Sequence, residues 1–197
     1  MPRLTREQKQ AETREKLLAA ALSLFARVGY GGASIDRIAE EAGFSKGAIY
    51  SNFGSKEDIF FQVLATYSES LLPDVLGALD GAVSAQEAIE ILAAWADERS
   101  RDVDLPWLVL EHVRHSRQSG TFGERQQQLF RANWLALGEK ARTFFPAGKA
   151  QIDAEALGAL VFEIAFAPAM SFSAGPTAGT LVRLALTGLL SNSASAG

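Results

Sequence analysis

His112 and His115 stand three residues apart, a spacing that puts both on one side of a helix and could offer two imidazoles to a metal ion. The chain has no cysteine, and the sequence fixes no carboxylate beside the pair, so no metal site is expected. Serines, histidines and aspartates occur, but none stands in a nucleophile elbow or a comparable frame; neither an enzyme nor a bound cofactor is expected. Gly29, Gly31 and Gly32 follow a helical pattern rather than a strand and lack phosphate-loop spacing, so they read as a helix stop. The most specific chemistry lies between Ser34 and Lys56. Ser45, Lys46, Gly47 and Ala48 put small and polar groups at the start of a short helix, the form that enters a DNA major groove. Gly47 and Ala48 lack bulk and allow close approach of the backbone. Tyr50, Ser51 and Asn52 offer donors at the groove edge. Ser34 and the first amides of its helix face a phosphate, and Lys56 is expected at another.

The elements that must position these residues are helical. Thr5 and Gln8 form a capping box, and the helix they open carries Leu18, Ala21, Leu22, Phe25 and Val28 as its expected apolar stripe. Ser34 caps a second helix with Ile35, Ile38, Ala39 and Ala42 inward, and Gly43 is its left-handed stop. Ser45 caps the third, whose Ile49 and Phe53 point back at the first two. Ser55 and Asp58 start a fourth, which Pro73 ends. The second and third helices with their turn make a helix-turn-helix.

The stretch from Thr13 to Phe60, and above all IAEEAGFSKGAIY and NFGSKE, resembles the DNA-binding domain of TetR/AcrR-type regulators. Ser34 stands where that family commonly has Thr, Ser51 where an aromatic is frequent, and Asn52 where His is frequent. The resemblance implies an all-α protein of about nine helices. It divides the chain into a helix-turn-helix domain over residues 1–56 and a ligand-binding and dimerisation domain over residues 57–197. It also implies an effector pocket in the second domain.

Beyond residue 65 capping signals place helices over about 84–101, 104–118, 122–145, 153–173 and 177–190, with the tail SNSASAG expected to be disordered. Trp95, Trp107, Trp134, Glu111, His112 and Phe166 are the candidate effector contacts, with Trp107, Glu111 and Arg114 on one helical face. The last two helices are apolar nearly all round, which asks for cover from a second subunit. Phe162, Phe166, Ala169, Leu181, Leu184 and Leu189 are the expected interface.

Charge is unevenly divided. Residues 1–56 hold nine Lys/Arg and six Asp/Glu, and residues 57–197 ten and seventeen, so the net −4 splits into +3 and −7. A basic N-terminal part suits a polyanion at that end only. The N-terminal segment is polar and charged, without the apolar core of a secretory signal, and no stretch is a convincing membrane span. The expectation is a cytoplasmic, homodimeric transcription regulator, a repressor released from a palindromic operator in double-stranded DNA by a small, mainly apolar effector. The alternative is a helical interaction module that has lost DNA binding.

Overall fold

The computed structural model describes residues 5–102, 106–107, 109–110, 114, 120–145, 152–167 and 174–195. Glu111, His112, His115 and Ala169 lie outside the described residues. The regular elements described are helices: α1 (Arg6–Gly32), α2 (Ile35–Ala42), α3 (Lys46–Phe53), α4 (Lys56–Leu71), α5 (Pro73–Asp80), α6 (Ala85–Arg99), α7 (Gly120–Arg142), α8 (Ala154–Ala165) and α9 (Ala178–Ser195). Two compact units result: one holds the chain up to Tyr67 together with residues 108–119, the other Ser68 to Trp107 and Gly120 onward, with α4 beginning in the first and ending in the second.

The helix starts follow side-chain chemistry. Thr5 Oγ1 accepts the N–H of Gln8 (3.2 Å) while Gln8 Oε1 accepts the N–H of Thr5 (2.9 Å). Ser84, Asp153 and Thr177 cap α6, α8 and α9 through the N–H groups of Glu87, Ala156 and Thr180. Each cap satisfies an amide that the helix itself leaves unpaired. Helix α1 bends at Gly29, whose φ of 71° and ψ of 171° a side chain would oppose.

In the first unit the core gathers Leu17, Ala21, Leu24 and Phe25 of α1 against Ile38, Ile49, Ile59 and Phe60, all at most 1% exposed. The buried stripe of α1 is therefore rotated from the expected one: Leu17 and Leu24 point inward, whereas Leu22 is 43% exposed. Spacings of three and four fit both stripes, and the neighbouring helices decide between them.

In the second unit α7 packs most extensively on α8, and α6 on α9. Gly138 and Gly158 meet at the α7–α8 crossing: a Cβ on Gly158 would lie 1.8 Å from Trp134 O, and one on Gly138 1.7 Å from Ala154 O. Asp97 of α6 accepts the N–H of Gly179 (2.6 Å), joining α6 to the start of α9.

Three boundaries differ from the sequence reading. Pro73 ends α4 but also opens α5, because at the first helical position its missing N–H costs nothing. Helix α8 stops at Ala165, short of 173, since Pro168 disfavours helical backbone at the residue before it. Helix α9 runs to Ser195, so residues 191–195 of the tail expected to be disordered continue the helix.

Candidate nucleic-acid interface

The turn between α2 and α3 is built from two caps and one glycine. Ser34 is extended (φ −131°, ψ 157°) and its Oγ accepts the N–H of Arg37 (3.2 Å). Gly43 adopts the left-handed conformation (φ 73°, ψ 29°), which closes α2 and lets Phe44 N–H reach Ala39 O (2.9 Å). Ser45 then caps α3 by accepting the N–H of Ala48 (3.3 Å). Ile49 and Phe53 are buried, at 0% and 8% exposure, and seat the helix; Ser45, Lys46, Gly47, Tyr50 and Ser51 face outward. The expected reading edge and anchoring face of α3 are thus separated on opposite sides of two turns.

Polar partners refine the roles of the outward residues. Lys46 Nζ pairs with Asp36 of α2 (3.0 Å), and that hydrogen bond and charge raise its pKa, so the ammonium stays charged. Both side chains of the pair are exposed, so it holds together only weakly. Tyr50 is 50% exposed. Ser51 Oγ and Asn52 Nδ2 both donate to Ala48 O, at 2.9 and 2.7 Å, so these donors are turned back along their own helix. Ser34 is half-buried and spends one lone pair on its cap. A Cβ at Gly47 would meet only Ser45 Oγ, at 3.7 Å, so nothing inside the subunit requires glycine there.

Lys56, expected at a phosphate, instead has its ammonium on Tyr30 O (2.9 Å) and Ala33 O (3.0 Å), 4.2 Å from the centre of the Tyr30 ring. A helix supplies no partners of its own to its last carbonyls, and Lys56 donates to two carbonyls at the end of α1. Tyr30 in turn packs on Phe25 and Phe60, at 5.8 and 5.0 Å between ring centres. Burial, with Glu57 nearby, pushes the Tyr30 pKa up to about 12.

Sequence reasoning did not single out Arg14. Its guanidinium donates to Asn52 O and Gln62 Oε1, both at 2.8 Å, and lies 4.5 Å from the centre of the Phe53 ring. These partners stand 38 and 48 residues away in sequence, beyond the reach of any local pattern.

In the second unit the candidate effector residues fall into distinct places. Trp95 is buried, and its Nε1 donates to Leu71 O (3.2 Å). Its ring neighbours Phe162 and Phe166, with centres at 6.2 and 6.1 Å. Phe130, not anticipated, joins this group to Trp134 through contacts of 6.2 Å to Phe162 and 6.5 Å to Trp134. Trp107 is 46% exposed. Trp134 Nε1 is buried and completes no hydrogen bond, yet lies near enough to Glu163 to lower that carboxyl's pKa against the larger, raising effect of burial. Phe162 is only 2% exposed within its own subunit, which removes it from the expected interface: its ring already fills the core. Leu160 and Leu184 are exposed, at 36% and 72%; Leu181 and Leu189 are half-buried.

A capped helix-turn-helix on a small helical core, joined to a larger helical unit, defines a class of protein, and comparison with known proteins agrees. Residues 17–63 match the family described as bacterial regulatory proteins, tetR family. The HTH-type transcriptional repressor AcnR of Corynebacterium glutamicum is 29% identical over 64% of this chain and 58% of its own. The chain thus spans less than two thirds of that relative's length. The transcriptional regulator SCO7518 from Streptomyces coelicolor A3(2) shares the fold, with a TM-score of 0.70 at 23% identity over 91% of this chain and 98% of that one. So does the transcriptional regulator FadR from Bacillus subtilis in complex with stearoyl-CoA, with a TM-score of 0.65 at 20% identity over 90% and 97%. Residues 17–63 are thus similar to tetR-family bacterial regulatory proteins, and the helical fold of the whole chain is shared with solved regulators.

Proposed function

We propose that this protein is a dimeric, ligand-responsive repressor that reads a palindromic operator through α3. The observation that carries the reading is the exposed start of α3, where Ser45, Lys46, Gly47 and Tyr50 stand free of the core while Ile49 and Phe53 fix the helix from behind. A short helix so mounted presents its first turn to base edges. Ser45 and the amides it caps, with Lys46 released from Asp36, meet backbone phosphate; Gly47 and Ala48 lie against the groove floor; Tyr50, with the acceptor sides of Ser51 and Asn52, reads its edge. Ser34 and the start of α2 hold the flanking phosphate.

Pairing of two subunits uses the outward stripes of α8 and α9. Leu160, Leu181, Leu184 and Leu189 are exposed or half-buried, an apolar surface that a second copy covers. The effector is small and mainly apolar and contacts Phe166 and Trp134 beside the buried Trp95. FadR, which shares the fold, is described with stearoyl-CoA, and this supports an apolar-bodied ligand. Helix α4 is continuous from Lys56, just after α3, to Leu71 in the second unit, so a ligand that prefers one tilt of α4 changes the spacing of two reading heads. A coupling of about 1–3 kcal/mol lowers operator affinity about 5–150-fold. The regulator works in the cytoplasm, where its DNA is.

Fluorescence anisotropy with DNA from upstream of the protein's own gene tests the reading. Wild type binds that DNA in preference to a scrambled duplex, and Lys46→Ala with Tyr50→Ala removes the preference. Undiminished discrimination in the double variant would place the reading surface elsewhere.

A further inference from the structure

Helices α1 and α3 share a local deficiency: neither carries a basic residue in its last turn to meet the partial negative charge of its C-terminal carbonyls. In both cases the cation comes from another helix. Lys56, at the start of α4, donates to Tyr30 O and Ala33 O at the end of α1. Arg14, in α1, donates to Asn52 O in the last turn of α3. Both cations also sit over an aromatic ring of the helix end they serve, Tyr30 for Lys56 and Phe53 for Arg14. Arg14 spends its second nitrogen on Gln62 of α4, so one planar side chain ties α1, α3 and α4 together.

We propose that Arg14 and Lys56 are positioning residues that clamp α3 in its reading attitude, and that neither serves as a phosphate ligand. The inference rests on the reading of the protein as a DNA-binding regulator. A lysine on a phosphate must turn its ammonium outward and release counterions from the DNA, whereas these two cations are part-buried and already bonded to carbonyls. The clamp is closed end to end: α1 grips α3 through Arg14, and α4 grips α1 through Lys56. Lysine at position 14 would keep the charge but lose the fork that reaches Asn52 and Gln62 together. The basic excess of the first 56 residues therefore overstates the charge that faces DNA.

The two roles differ in salt dependence. Each phosphate neutralised on duplex DNA contributes about 0.9 to the slope of log affinity against log salt. Arg14→Lys, Gln62→Met and Lys56→Met are compared with wild type in two measurements: operator affinity at several salt concentrations, and amide hydrogen exchange without DNA. The expected result for Arg14→Lys is an affinity loss of about tenfold at an unchanged salt slope, with faster exchange confined to α3. Lys56→Met loses affinity in the same way, with faster exchange in the last turn of α1. Gln62→Met keeps the Arg14 cation and removes one of its acceptors, so it shifts exchange in α3 in the same direction even if Arg14→Lys fails to fold. A salt slope lower by about one in Lys56→Met or Arg14→Lys, with exchange unchanged, overturns the proposal in favour of direct phosphate contact. Unchanged exchange together with unchanged affinity overturns it as well. A wild-type protein that binds none of its upstream DNA would sink the regulator reading, while exchange in α3 and α1 would still decide the clamp.

Discussion

Gly47 costs α3 helical stability and returns nothing inside the subunit, where an added Cβ would find only ordinary contact with Ser45 Oγ at 3.7 Å. The reason for a glycine must then lie outside, in whatever approaches the start of α3. Gly47→Ala is expected to stabilise the free protein by up to about 1 kcal/mol and to weaken operator binding. Thermal unfolding and anisotropy read the two effects; a variant that is more stable and binds equally well would show that DNA does not press on this backbone. Glu163 offers a different residue-scale test. Glu163 reaches the surface, but partial desolvation of its carboxyl holds it above the ordinary range, only partly offset by Trp134. The folded state then binds the proton more tightly than the unfolded state, so this residue's contribution to stability falls as pH rises from the ordinary carboxylate range through the raised value. Glu163→Gln should remove that decline, flattening stability against pH on the neutral side. An unchanged pH profile would mean that burial does not disfavour the charged carboxylate.

Among the elements, starts were more legible than faces or ends. A cap is written in neighbouring residues, and Thr5, Ser34, Ser45, Ser84, Asp153 and Thr177 each accept the N–H three residues on. The turn at Gly43 was readable for the same reason. The buried stripe of α1 was misplaced because two adjacent stripes are both apolar, and only the helices packed on α1 distinguish Leu24 from Leu22. The clamp through Arg14 and Lys56 was not legible at all: its partners are 23 to 48 residues apart. The glycine crossing of α7 and α8 was equally hidden, since nothing local marks Gly138 and Gly158 as facing each other. Their contact leaves no room for a methyl group, so Gly158→Ala must push two helices apart. A loss of about 3 kcal/mol is expected, seen as a lower urea midpoint. A change within about 0.5 kcal/mol would mean that the helices separate freely.

At the scale of the whole molecule, the sequence divided the charge and marked the helix-turn-helix, while the second unit was read mainly by resemblance. Its candidate pocket residues were chosen as aromatics, and side-chain type alone does not separate a core ring from a lining one. Trp95 proved to be buried, whereas Phe166 and Trp134 keep some exposure. Leu184, at 72%, is the most exposed of the described residues expected at the subunit interface. The repressor reading requires two α3 helices carried together, so their footprints must be spaced by one turn of DNA. Hydroxyl-radical footprinting on the upstream DNA measures this directly. The predicted pattern is two symmetric protected patches whose centres lie about 10–10.5 base pairs, or about 34–36 Å, apart or at a multiple of that spacing, both lost in Leu184→Glu at protein concentrations where wild type saturates. A single unpaired patch, or protection spread evenly along the duplex, would contradict it.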